Sequence, residues 1–105
     1  MLKIAKNAEF THKVKVRVPV DGGFADQEFT ARFRVVPWSQ LASVEADPAA
    51  QLRLIWVGWD GILGENDQPL PYSDAAREDL IDLMFVRAPV LRAYVDAVAP
   101  AKRGN

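Results

Sequence analysis

Lys13-Val14-Lys15-Val16-Arg17-Val18-Pro19-Val20 carries the reading of the fold, because valines at every second position alternate with bases over almost the whole stretch. A period of two belongs to a strand with one buried face. Asp21-Gly22-Gly23 follows with residues that tolerate positive φ. After Phe24 to Gln27 the alternation resumes, with Phe29, Ala31, Phe33 and Val35 set against Thr30, Arg32 and Arg34. The two runs predict an antiparallel hairpin joined by a longer loop. Pro19 has no N–H to give to a ladder, which places it on an edge strand or at a strand end. A lone two-stranded hairpin is marginal in water, so its Val/Phe face needs a cover from later in the chain.

That cover reads as helical. Asp47-Pro48 is a start signal, since Asp caps and Pro at the first helical position gives up an N–H that has no partner there. Leu52, Ile55, Trp56 and Trp59 follow at i, i+3, i+4 and i+7, which predicts a helix closed by Gly58; Leu54 to Val57 also fits a buried strand. Gly61 to Pro71 holds Gly61, Gly64, Asn66-Asp67, Pro69 and Pro71, the composition of a loop. Ser73 is placed to cap a helix with Asp74 in its first turn and Leu80, Ile81, Leu83 and Met84 as its apolar side. Pro89 is expected to open the last helix, with Val90, Leu91, Tyr94, Val95 and Val98 as one stripe. Strands first and helices after predict an α+β fold: a small antiparallel sheet built on a β-hairpin, followed by three or four short helices packed on one face.

Composition sets the outer limits. The chain has 105 residues, the length of one domain, 1–105, with 1–9 and 100–105 expected as loosely ordered ends. A chain of this size buries roughly 65% of the surface its unfolded form exposes, enough for a core without staples. It has no cysteine, which excludes disulfide scaffolds and Cys-ligated metal sites. Thirteen Lys and Arg against fourteen Asp and Glu give a net charge of -1, which argues against a protein that works mainly by coating nucleic acid or an acidic membrane. No apolar run nears the roughly 18 residues of a membrane helix, and Met1 to Lys6 lacks the core of a signal peptide, so a cytoplasmic protein is expected.

The inventory for catalysis is thin. His12 is the single histidine, precedes a basic strand and reads as an exposed or edge residue. Asp60, Glu65 and Asp67 do not fit a calcium loop, because Ile62 stands at its third position, and they read as a solvated turn. Neither Gly22-Gly23 nor Gly58/Gly61 sits in a phosphate-loop arrangement. No enzymatic activity, metal or cofactor is expected. Lys13, Lys15, Arg17, Arg32 and Arg34 alternate onto one side of the hairpin. Such a face is either solvated and offset by carboxylates such as Glu9 and Glu28, or it meets an acidic protein partner; nucleic acid is the remaining alternative, weakened by the lack of interleaved aromatics. Three tryptophans, Trp38, Trp56 and Trp59, are a heavy load for a small core. They read as core, with an assembly surface as the alternative for at least one of them.

The order of the parts resembles a known family: Phe10-Thr11, the alternating strand to Val18-Pro19, Gly22-Gly23, Phe29 to Arg34, Trp56-Val57-Gly58-Trp59-Asp60-Gly61-Ile62, Pro69-Leu70-Pro71-Tyr72-Ser73 and then two helices. It is similar to the tail assembly chaperones of long-tailed bacteriophages and prophages, from about Phe10 to Val98. The resemblance implies a non-catalytic protein of the host cytoplasm that binds the tape measure protein, helps recruit tail tube subunits and leaves the finished particle. Gly58, Trp59, Gly61, Pro69 and Pro71 are its fold-motif positions. Lys13, Lys15, Arg17, Arg32, Arg34 and Trp38 are the expected partner-binding residues, and weak self-association is expected as well. A nucleic-acid-associated or other binding module using the basic hairpin face is the alternative.

Overall fold

The computed structural model describes residues 1–5 and 7–100. Strand β1 (Glu9–Val20) pairs antiparallel with β2 (Gly23–Arg34), then come α1 (Trp38–Ala42), α2 (Pro48–Ile55), β3 (Trp56–Asp60), α3 (Asp74–Ile81) and α4 (Met84–Val98). The sheet has the order β1-β2-β3 and is antiparallel throughout, so the fold is α+β on a β-hairpin. Residues 1–5 lie outside any regular element, but Glu9, expected in the loose end, opens β1 opposite Arg34; the expectation for 101–105 falls outside the described residues.

The hairpin follows the alternation. Val14 and Val16 of β1 and Phe29, Ala31 and Phe33 of β2 are buried on one face. The loop is tighter than expected: Val20 pairs with Gly23, which leaves Asp21-Gly22 as the turn, with Gly22 at φ 79. Ala25 to Gln27 belong to the ladder although their polarity does not alternate. This end of the ribbon runs past the core, Val20 and Phe24 are exposed, and no buried face imposes a pattern there. Pro19 lies near the end of an edge strand, where its missing N–H costs no ladder bond on the open side.

The expected helix from Pro48 stops at Ile55, and Trp56 to Asp60 form the third strand, which corrects the helical reading of Trp56 and Trp59. Asp47 caps α2 by accepting from the Ala50 N–H at 3.1 Å. The reason for the misreading is a bulge. Phe33 pairs with Trp56 but Arg32 pairs with Gly58, so Val57 is an extra residue that resets the phase of the strand. Trp56 and Trp59 therefore both lie at inner-face positions, three residues apart, a spacing that imitates a helix.

Two further expectations are corrected at the C-terminal end. α4 starts at Met84, and Pro89 sits inside it. The extra turn buries Val86, and the Leu83 carbonyl accepts from the Val86 and Arg87 N–H groups at 3.0 and 2.9 Å. That gain outweighs the one helical bond that Pro89 cannot make. Met84, expected on an apolar side, is 83% exposed, and Leu83 is exposed too. The main cover of the hairpin is α4 lying over β1, while α2 packs between α4 and the β2–β3 side.

One apolar cluster joins these layers, with Trp56, Phe33, Leu52, Ile55, Ile81, Val14 and Val90 fully enclosed. Phe33 meets Tyr94 edge-on at 5.4 Å between centroids, and the Val36 N–H donates to the Tyr94 hydroxyl at 3.4 Å. Arginines close the helix ends. Arg34 donates to the Leu54 carbonyl at 3.0 Å, Arg77 to those of Arg53 and Trp56 at 3.2 and 2.8 Å, and Arg87 to that of Ile81 at 2.8 Å. Cations at C-terminal carbonyls satisfy acceptors that have no partner within the helix.

Candidate functional site: the hairpin face, Trp38 and the outer side of α4

The five bases of the hairpin do share its outer face, but so do acids. The register sets Lys15 opposite Glu28, Arg17 opposite Asp26 and Arg34 opposite Glu9, so no like charges stand directly opposite one another here. Arg32 donates to Glu9 at 2.7 Å, Lys13 lies 3.9 Å from Glu28 and Arg17 3.8 Å from Asp26. Arg34 is half-buried and occupied with the Leu54 carbonyl. Arg32 also runs its methylenes across Gly58, at 3.4 Å from where a Cβ would stand, and covers the outer face of β3. Of the expected partner-binding residues, Arg32 and Arg34 thus have structural work, Lys13 and Arg17 are ion-paired, and Lys15 has no ion pair among the described residues. Arg17 also stands over the Phe24 ring at 4.3 Å.

Trp38 differs from the other two tryptophans. It opens α1 immediately after Pro37 and is 73% exposed, whereas Trp56 is fully buried and Trp59 half-buried. The Trp59 indole N–H donates to the Leu70 carbonyl at 2.8 Å, while the Trp56 indole N–H is buried without a partner.

The fold-motif positions assemble into one unit. Trp59 stacks against Tyr72 at 5.0 Å edge-on and against Trp56 at 5.3 Å. Gly61, at φ 88, turns the chain out of β3. The loop then doubles back through a Leu63–Pro69 bridge, with the Leu70 N–H donating to the Ile62 carbonyl at 2.8 Å. Pro69 and Pro71 flank the Leu70 carbonyl that Trp59 holds. Two segments eleven residues apart are therefore tied by one indole. Tyr72 donates to Asp74 at 3.0 Å, and its phenol is pushed up, first by desolvation and then by that bond.

No acid–base constellation gathers among the described residues. His12 is exposed on β1, Asp60, Glu65 and Asp67 are exposed around the 61–72 loop, and no three His, Asp or Glu side chains come together as metal ligands there. The Glu78 carboxyl is held below its ordinary range by the hydrogen bonds from Arg53, 2.8 to 3.0 Å long, and both groups lie at the surface. No helix among the described residues is long and apolar enough to cross a membrane.

What sequence reasoning missed is the outer side of α4. Met84 and Val95 are 83% and 49% exposed, Ala88 and Val98 are exposed and Leu91 is half-buried between them. Ala88, Leu91 and Val95 line a shallow apolar depression of about 420 Å³ together with Pro48, Arg87 and Arg92. Comparison of the chain with protein-family models, with curated proteins and with solved structures finds no match in any of the three.

Proposed function

We propose that this chain is a non-catalytic tail assembly chaperone of long-tailed bacteriophages and prophages. It binds the tape measure protein in the cytoplasm of the bacterial host, assists assembly of the tail tube and is absent from the mature virion. The observation that carries this reading is the exposure of large apolar side chains, Trp38 and those on the outer side of α4. Tryptophan is enriched at the centres of interfaces, and an exposed apolar patch marks a place where another molecule sits. A holdase needs such surfaces and no cleft. The motif order that resembles the chaperones adds support, since Trp59, Gly61 and the Pro69–Pro71 segment act as one packing unit rather than as scattered coincidences.

The basic hairpin face gives the nucleic-acid alternative less support, because three of its five bases are paired with acids and a fourth is bound to a backbone carbonyl. The reading is tested by placing a stop codon in this reading frame within the phage or prophage genome that carries it. Heads without tails are expected, together with wild-type particles in which mass spectrometry finds no trace of the chain. Tails that form without it, or stoichiometric copies in the particle, would overturn the proposal.

A further inference from the structure

On α4, Met84, Ala88, Leu91, Val95 and Val98 are separated by four, three, four and three residues. At about 100° per residue they lie within roughly 80° of arc, opposite the buried Val86, Val90 and Ala93, with buried Tyr94 next to the Val98 edge. A four-three alternation of apolar residues on one helix face is the spacing of a coiled-coil seam. Met84, Ala88, Val95 and Val98 of this seam are exposed, while Leu91 is half-buried against the core and Pro48 of α2 borders it on one side. Its free cationic border is Arg92, just after Leu91 at a position that flanks a seam and chooses its partner, whereas Arg87, just before Ala88, is half-buried and donates to the Ile81 carbonyl. Lys15 and Arg17 line the hairpin side of the adjoining depression beyond Met84 and Arg92. Asp26 and Glu28 line that same depression, 3.8 and 3.9 Å from Arg17 and Lys13; Asp96 lies further round the helix beside Lys13 and Lys15, and Asp47 precedes Pro48 at the α2 side.

We propose that this seam docks a single amphipathic α-helix of another protein, one whose apolar stripe is flanked by acidic residues. The spacing selects a helix as the occupant, and the charge selects its flanks. A second copy of this chain is disfavoured by the same positions. In a parallel pair, Arg87 of one copy would face Arg92 of the other, and in an antiparallel pair Arg92 would face Arg92. This inference does not rest on the chaperone reading. The phage experiment above and the binding experiment below can fail separately.

The probe is a three-heptad peptide with Leu at its a and d positions and Glu at its e and g positions, whose own repulsion keeps it monomeric. A second peptide carries Lys in place of Glu. Titration calorimetry on the whole chain is expected to give one-to-one binding of the Glu peptide, at least about tenfold tighter than that of the Lys peptide and weakened by salt. The Met84→Glu/Val95→Glu variant changes two exposed positions, so it keeps its far-UV spectrum and melting curve while losing the peptide. Arg92→Glu is expected to shift the preference toward the Lys peptide. The proposal is overturned if the Glu peptide does not bind, if binding survives Met84→Glu/Val95→Glu, or if the two peptides bind equally. It is equally overturned if sedimentation shows the chain pairing with itself through this seam, with Met84→Glu/Val95→Glu abolishing the pair.

Discussion

Replacing each inner tryptophan of β3 by phenylalanine reverses the order that burial alone suggests. Trp56 is fully enclosed and Trp59 only half so, and a tally of buried area would make Trp56→Phe the costlier change. The change removes about 40 Å³, which at a fully buried site costs about 1 kcal/mol for the cavity and about 1 kcal/mol for lost transfer. The Trp56 indole N–H, however, is buried without a partner, and removing it returns about 1 to 3 kcal/mol. Trp56→Phe is therefore expected within about 1 kcal/mol of the parent, summing those opposed effects. Trp59→Phe loses about 1 kcal/mol of partial burial and about 1 kcal/mol for the bond to the Leu70 carbonyl, close to 2 kcal/mol in all. Urea melts followed by far-UV circular dichroism measure both without relying on the altered fluorescence. With a slope of about 1 to 1.5 kcal/mol per molar, the Trp59→Phe midpoint should fall by about 1.5 M and the Trp56→Phe midpoint by much less. If Trp56→Phe proves the more destabilised by over about 1 kcal/mol, the reasoning fails at the unpartnered N–H.

The other predictions concern the turn, the arginines and pH. Gly61→Ala should cost about 1 kcal/mol or more in a thermal melt because of its φ of 88, whereas Gly58→Ala, with only ordinary contact to Arg32, should be nearly neutral. Arg34→Ala should cost about 1 to 2 kcal/mol in urea by freeing the Leu54 carbonyl, whereas Lys15→Ala should cost nothing measurable. Glu78 has its pKa depressed, so its contribution is present above the ordinary carboxylate value and is lost as pH falls through the lowered one; Glu78→Gln should flatten the acid limb of a stability–pH curve there. Tyr72 has its pKa raised, so stability declines as pH climbs from the ordinary tyrosine value through the raised one, and Tyr72→Phe should remove that decline.

The hairpin was legible because its inner face is buried along most of its length, and burial is what writes a period of two into Val14, Val16, Phe29, Ala31 and Phe33. Where burial ends, at Phe24 to Gln27, the pattern ends too, although the ladder continues. β3 was misread because a single extra residue, Val57, converts a strand into helical spacing for Trp56 and Trp59. Pro89 misled in the opposite way: a rule about local hydrogen bonds lost to the tertiary gain of burying Val86 one turn earlier. The seam on α4 could not be picked out beforehand, since the helix is apolar on nearly all sides. The expected stripe of Val90, Leu91, Tyr94, Val95 and Val98 mixes residues of the inner and outer faces. Only the packing against β1 separates them. The hairpin bases carried a true facial alignment with Glu9 and Glu28 legible as counter-charges, and the register adds Asp26 opposite Arg17.

The proposed chaperone role is tested by co-expressing this chain with the tape measure protein of the phage or prophage that the proposal assigns it to, read as the fraction of that protein in the soluble supernatant. The tape measure protein is expected to be insoluble alone, to become soluble with this chain and to co-purify with it. Equal solubility of the tape measure protein with and without this chain would contradict that role.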